Sequence, residues 1–324
     1  MASPRSSRRE VLGLGALAAC GLGANNDHAT EVCGAEPAIH PKSSADGKPN
    51  LADELARLER DYDGRFSIAA ERLDDSGSVR FALRSDSVLP TASVCKLFIL
   101  CELFRQAEAG TIDLKAPLGW RPDQHRGGDG VLRAMVPGQT LSVHNMAVLM
   151  IVMSDNIATA ALTELVGPAN IQRSLKSWKL NDSDFHRGLP SGPNAAEMKQ
   201  PAGSARDLCG LMARIHRREL LTPKSCDEII RILRAQRVND MIPRYIPVGE
   251  DWGEAKRWIA NKTGYGECRV DVGLIHTEAL TLALAIFFKP HQPPPHRVKS
   301  MSDYPPVLAV AHAAKAVYDH FAAV

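Results

Sequence analysis

Leucines at 51, 55 and 58 recur at intervals of four and three residues, the spacing of one face of a helix, and predict an amphipathic helix there. Residues 66–73 and 78–83 alternate apolar with polar positions around Asp74-Asp75-Ser76-Gly77, which predicts a β-hairpin with a polar turn. An apolar run from Thr91 predicts a long helix. Residues 112–220 read as largely helical, with turn signals at Gly127-Gly128-Asp129-Gly130 and Pro137-Gly138. Residues 181–203 hold six Gly and Pro positions and read as a polar loop (Gly188, Pro190, Gly192, Pro193, Pro201, Gly203). Helical spacing resumes over 207–216 and 224–235. Strand patterns follow at 257–264, 269–276 and 280–288, and a closing helix is predicted over 305–322.

This order places a hairpin first, a helical block next, then three strands and a final helix. It predicts a mixed α/β (α+β) fold in which one lobe, about 50–90 and 205–324, is interrupted by a helical lobe over about 91–204. Residues 21–49 are rich in Asn, Ser, Pro, Gly and Lys without periodicity, and are expected to form a flexible linker.

The first twenty residues have the pattern of a targeting segment. Arg8-Arg9 precedes a short apolar stretch from Val11 to Ala19, as in a twin-arginine export signal, and that stretch cannot span a bilayer. Leu17-Ala18-Ala19-Cys20 has the form of a lipobox, so Cys20 is a candidate for lipidation. A periplasmic or extracellular protein is expected, with a lipid anchor as its only membrane attachment. Of the seven cysteines, six remain once Cys20 is set aside, which permits disulfides without pairing them.

Composition narrows the function. Of 324 residues, 44% are hydrophobic and 23% charged, ample for a core. A net charge of +2, with no basic block interleaved with aromatics, argues against a nucleic-acid partner. No His or Cys pair has zinc spacing, and no metal or cofactor is expected. A monomer is expected.

Chemistry concentrates in three short motifs. Ser93 and Lys96 form S-x-x-K at the start of the run from Thr91, and three residues along a helix bring the two side chains to one face. A serine hydroxyl needs a base, and a lysine becomes one when burial or nearby positive charge lowers its pKa. Ser154-Asp155-Asn156 follows Leu149-Met-Ile-Val-Met153, and Lys262-Thr263-Gly264 stands between Ile259-Ala260 and Tyr265-Gly266. Any one motif alone reads as a helix cap, a polar turn or a surface lysine. The ordered set is the pattern of class A β-lactamases and penicillin-binding proteins.

The chain therefore resembles the class A β-lactamase-like branch of the penicillin-recognising serine hydrolases, over about residues 50–324. The resemblance implies an antiparallel sheet packed by helices, with an inserted helical lobe and a cleft between lobes. It implies a serine hydrolase that cleaves a β-lactam amide, with Ser93 as acylated nucleophile, Lys96 as proton relay and Ser154 passing a proton to the leaving nitrogen. Asn156 is expected to orient the substrate amide. Lys262 and Thr263 are expected at its carboxylate, with Gly264 beside them, and the Tyr265 and Ser93 amides in the oxyanion hole. Arg269 is expected either to clamp the carboxylate or to pair with Asp271. Cys95, about 200° from Ser93 on a helix, is expected to pack in the core.

One departure matters. The deacylating Glu-x-x-x-Asn of class A enzymes would fall near Gly188 to Pro190, where the chain has no carboxylate; Glu197 is the nearest glutamate and a possible base. That absence keeps open a D-alanyl-D-alanine peptidase, an esterase or an acyltransferase acting on a peptidoglycan-like acyl substrate. A non-hydrolytic β-lactam or wall-peptide binding protein also stays open.

Overall fold

The computed structural model describes residues 50–74, 80–121, 124, 128–136, 138–186, 199–247, 256–278, 280–292 and 301–323. The export segment with Cys20, the linker, the hairpin turn at 75–79 and Glu197 lie outside the described residues.

Helix α1 (Leu51–Asp61) begins where the Asn50 side chain accepts from the Asp53 amide, and it buries the three leucines of the predicted stripe. Strands β1 (Gly64–Arg72) and β2 (Arg80–Leu83) form the expected hairpin. The short β3 (Leu89–Pro90) leads to a 3-10 turn, Ala92–Cys95, and only then to α2 (Lys96–Glu108). Strands β4 (Pro117–Gly119) and β5 (Thr140–Ser142) pair with each other, and α3 (Val143–Val152), α4 (Asn156–Val166) and α5 (Pro168–Ser177) follow. After β6 (Ala202–Gly203), which pairs with β3, come α6 (Ala205–His216) and α7 (Pro223–Arg234). The chain closes with β7 (Trp258–Tyr265), β8 (Arg269–His276), β9 (Thr281–Pro290) and α8 (Pro305–Ala322).

Five strands form one sheet in the order β2-β1-β9-β8-β7, antiparallel throughout. Alternation along each strand divides the core in two. Ile68, Leu282, Leu284, Ile286 and Phe288 pack with α1 and α8, whereas Ala69, Val270, Val272, Ala285 and Phe287 pack with the remaining helices. Helix α2 is buried from Lys96 to Phe104 on every side, as befits a central helix. Its buried Glu102 is satisfied by Arg105, Gln106 and Ser174, so it is part of the packing.

Two features depart from the predicted elements. Ser93 stands in a 3-10 turn instead of the first turn of an α-helix, because Ala92 adopts a left-handed φ of 46° that an α-helix excludes. The two-stranded pairs β3–β6 and β4–β5, two and three residues long, are too short to show a period.

Candidate active site

Three chain segments converge at the edge of the sheet. The first is the turn Ala92–Cys95. From Thr91 to Leu100 only Ser93 is half-buried, and its neighbours are buried. Thr91 anchors the turn, since its amide and its hydroxyl both donate to Pro201 O, at 3.0 and 3.1 Å. Cys95 is fully buried, and burial pushes its thiol up to about 12, so it is no rival nucleophile.

The second segment is the turn between α3 and α4. Ser154 has a φ of 52°, a left-handed conformation that costs a non-glycine residue about 1–3 kcal/mol. Its neighbour explains how it is held. Asp155 is fully buried, caps α4 by accepting from Ile157 N and Ala158 N at 2.9 and 3.0 Å, and accepts from Leu132 N at 2.8 Å. The carboxylate thus fixes the loop and does not face the cleft.

Lys96 reaches this turn from α2. Its ammonium donates to Ser154 O at 2.6 Å, Ser154 Oγ at 2.9 Å and Asn156 Oδ1 at 2.9 Å. Three protons meet three neutral acceptors, with no carboxylate to hold the charge. Burial, followed by the charge of Lys262, lowers its pKa to about 7. At neutral pH a large share of the amine is therefore unprotonated and able to take a proton.

The third segment is the edge strand β7. Lys262 is fully buried and donates to Ser154 Oγ at 3.2 Å and to Thr263 O at 2.8 Å. Burial lowers its pKa to about 8, against the opposing pull of Asp271. Ser154 Oγ therefore lies between two lysine nitrogens.

Gly264 lets the strand approach the turn of Ser93. A Cβ there would lie 2.6 Å from Thr91 O and 3.3 Å from Ser93 N. The ladder directs the amides beyond it. Gly266 N donates to Cys268 O at 3.1 Å, so every second amide back along β7 turns to β8, and those of Thr263 and Tyr265 point off the sheet edge, towards the turn that carries Ser93. The Thr263 hydroxyl is buried and finds no hydrogen-bond partner among the described residues.

Arg269 meets neither expectation made for it. Its guanidinium donates to Gly266 O and lies 5.0 Å from the centre of the Tyr304 ring, almost fully buried. It forms no ion pair with Asp271, whose oxygens are taken by Asn261 Nδ2 at 3.0 and 3.1 Å and by Ile242 N at 2.8 Å. The reason is register. Arg269 stands opposite Tyr265 and Asp271 opposite Thr263, so both belong to the sheet face away from Lys262.

Sequence reasoning also missed a residue. Asp129 O accepts from Asn156 N at 3.1 Å, which brings an exposed carboxylate to the turn that holds Lys96. The signal was the Gly-Gly-Asp-Gly run, read only as a turn.

The arrangement is a serine, two buried lysines and a bridging hydroxyl facing an edge strand. The model of the β-lactamase enzyme family matches residues 50–321. The chain belongs to this family. It is a β-lactamase-like serine hydrolase, and its fold agrees with solved structures. A β-lactamase from Sphaerobacter thermophilus is 23% identical with a TM-score of 0.72, over 85% of this chain and 97% of that one. A class A β-lactamase from Mycobacterium abscessus is 19% identical with a TM-score of 0.70, over 84% and 99%. PBP-A, as a mutant in an acyl-enzyme complex with penicillin G, is 25% identical with a TM-score of 0.70, over 85% and 97%. No curated protein matches the chain.

Proposed function

We propose that the chain opens a β-lactam amide through an acyl-enzyme on Ser93 and releases the product slowly. The observation that carries this reading is the Ser154 hydroxyl held between Lys96 and Lys262, at 2.9 and 3.2 Å. Neutral Lys96 takes the proton of Ser93 Oγ as that oxygen bonds to the carbonyl carbon. The oxyanion is met by the amides of Ser93 and Tyr265. The carbon–nitrogen bond then breaks, and the proton passes from Lys96 through Ser154 to the leaving nitrogen. Lys262 receives the substrate carboxylate. Asn156, bonded to Lys96, orients the acyl amide.

Water must then release the acyl group, and here the chain lacks the glutamate of class A enzymes. Asp184, the carboxylate on the near side of the loop, is engaged by His186 at 2.7 Å and by Lys199. General-base catalysis contributes about 10²–10⁴-fold, so its loss slows deacylation by a comparable factor. Mixing the protein with penicillin should give a burst equal to the enzyme concentration and then a slow phase, with a penicilloyl adduct in the intact mass. Fast, burst-free turnover lost on Glu197→Gln would give Glu197 the role of base and refute slow release.

A second reading is favoured by that same missing glutamate. A D-alanyl-D-alanine peptidase or another acyl-transferring relative would hold penicillin as a long-lived adduct and cleave a wall-peptide analogue. The PBP-A mutant captured as an acyl-enzyme with penicillin G supports this kinship. A peptide or ester turned over faster than any β-lactam would establish it.

Export completes the proposal. Arg8 and Arg9 serve as a twin-arginine signal and Cys20 as a lipid attachment site. Replacing both arginines with lysine should leave precursor in the cytoplasm, and normal amounts outside it would refute the route.

A further inference from the structure

A cavity of 510 Å³ lies between the end of α5 and one face of α6. Small-molecule sites occupy about 300–1,000 Å³, so the space is large enough for one. None of its lining residues belongs to the site around Ser93. Arg206, Gly210 and Arg214 recur every four positions along α6 and therefore share one face of it. Glycine is unfavourable inside a helix, and here no close neighbour requires it. A Cβ at Gly210 would meet nothing within 4 Å. The missing side chain leaves a gap between two arginines, and that gap is part of the cavity wall.

The charges of the wall do not cancel. Arg214 is half-buried, and its Nη1 donates to Trp178 O at 2.7 Å, which fixes the plane of the guanidinium. It forms no ion pair among the described residues, and its other N–H groups have no protein partner there. Lys179 stands in the turn that ends α5, at a left-handed φ of 56°, and likewise has no ion pair among the described residues. Arg206 pairs with Asp86 at 3.2 Å, where both side chains are exposed. The one carboxylate in the wall, Asp207, is buried, and its Oδ2 accepts from Asp182 N at 2.8 Å and Ser183 Oγ at 2.9 Å. Three cations thus surround one carboxylate that two donors already hold. Trp178 and Leu180 line the same space and add apolar surface to it.

We propose that this cavity binds a small organic anion, a carboxylate carried on a flat apolar group. The carboxylate lies on Arg214 and Lys179, and the apolar group lies over the Gly210 gap against Trp178 and Leu180. A fixed guanidinium with an unclaimed edge suits a carboxylate, because it can offer two parallel N–H donors. Binding here is separate from acyl transfer at Ser93 and does not depend on it.

The experiment titrates 2-naphthoate into the full chain by isothermal calorimetry at low salt, with uncharged 2-naphthamide as the control. Naphthoate should saturate one site per chain. A charge-assisted pair at a half-buried guanidinium should make the amide, and naphthoate on Arg214→Gln, bind about 5- to 20-fold more weakly. Lys179→Gln, at an exposed position, should cost about 1.5- to 5-fold, and only at low salt. Gly210→Leu fills the gap with a good helix former, so it should abolish binding while the melting curve shows the fold intact. No saturable binding to the parent protein, equal binding of the amide, or an affinity unmoved by either Arg214→Gln or Gly210→Leu would overturn the proposal. No arm uses penicillin or an adduct on Ser93, so each of those results leaves the acyl-enzyme reading as it stands.

Discussion

The turn at Ser154 and the described ends of the segment 181–203, residues 181–186 and 199–203, use their polar groups differently. At the turn the polar groups bind one another. Asp155 caps α4 and holds Leu132, Lys96 has three acceptors, and Lys262 shares the Ser154 hydroxyl. In the loop, the described polar groups serve anchoring. Asp207 accepts from Asp182 N and Ser183 Oγ, Gln172 Oε1 accepts from Phe185 N, and Pro201 O holds Thr91. The first region has the contacts that the proposed proton transfer requires. The second ties down its described ends, and the sequence has no carboxylate at Gly188 to Pro190, where the resemblance implies one. Under the proposed acyl-enzyme mechanism, a site divided this way forms an acyl bond more readily than it breaks one.

The most severe way to break the first region is to remove its nucleophile. Ser93→Ala should lower adduct formation with penicillin by about 10⁴-fold or more while leaving the circular dichroism and melting curve in place. Ser93 is partly exposed, and losing its hydroxyl opens no core cavity. An adduct retained in that variant, mapped by peptide mass to another residue, would refute the assignment. Lys96→Met comes next. It keeps the side-chain volume but deletes the base, and acylation should fall by about 10²–10⁴-fold. Acylation within tenfold of the parent would move the role to Lys262.

The pH dependence separates the two lysines, which the same hydroxyl links. Acylation needs Lys96 neutral, so its rate should rise with pH and level off above about 7. Carboxylate binding needs Lys262 charged, so affinity should decline as pH passes about 8. The second-order rate then peaks between these values, and single-turnover rates at saturating substrate should lose only the alkaline limb. A rate that falls steadily from pH 6 upwards would rule out a neutral Lys96 as base.

Much of this architecture was legible from residue order. Alternation over the first hairpin, the strand patterns of β8 and β9 and the leucine stripe of α1 identify the sheet and its first helix. Three motifs each bring a lysine or a serine that the fold collects in one place. What periodicity could not show is equally specific. A left-handed φ at Ala92 turns the start of the nucleophile helix into a 3-10 turn, and no residue type announces it. Arg269 carries the right charge for a clamp, but strand parity puts it behind the sheet against Tyr304. Asp129 is invisible until folding places Gly128 and Gly130 on Asn156 and Asp155. In each case a tertiary contact, and not a local preference, decided the outcome.

The mildest test separates two glycines that differ only in what surrounds them. Gly264 touches the nucleophile turn, and an added Cβ would meet backbone, Thr91 O at 2.6 Å, which cannot rotate away. Gly264→Ala should therefore push β7 off the turn, destabilise the fold by about 1–3 kcal/mol and slow acylation with it. Gly210, within α6, has nothing within 4 Å of an added Cβ. Gly210→Ala should instead stabilise the helix by about 0.5–1 kcal/mol and leave acylation unchanged, because alanine loses less backbone freedom on folding. Urea titrations of the two variants beside the parent decide the stability part, and adduct rates decide the rest. If Gly264→Ala acylates at the parent rate, the close approach of β7 is dispensable, and the oxyanion site must be built from amides other than that of Tyr265.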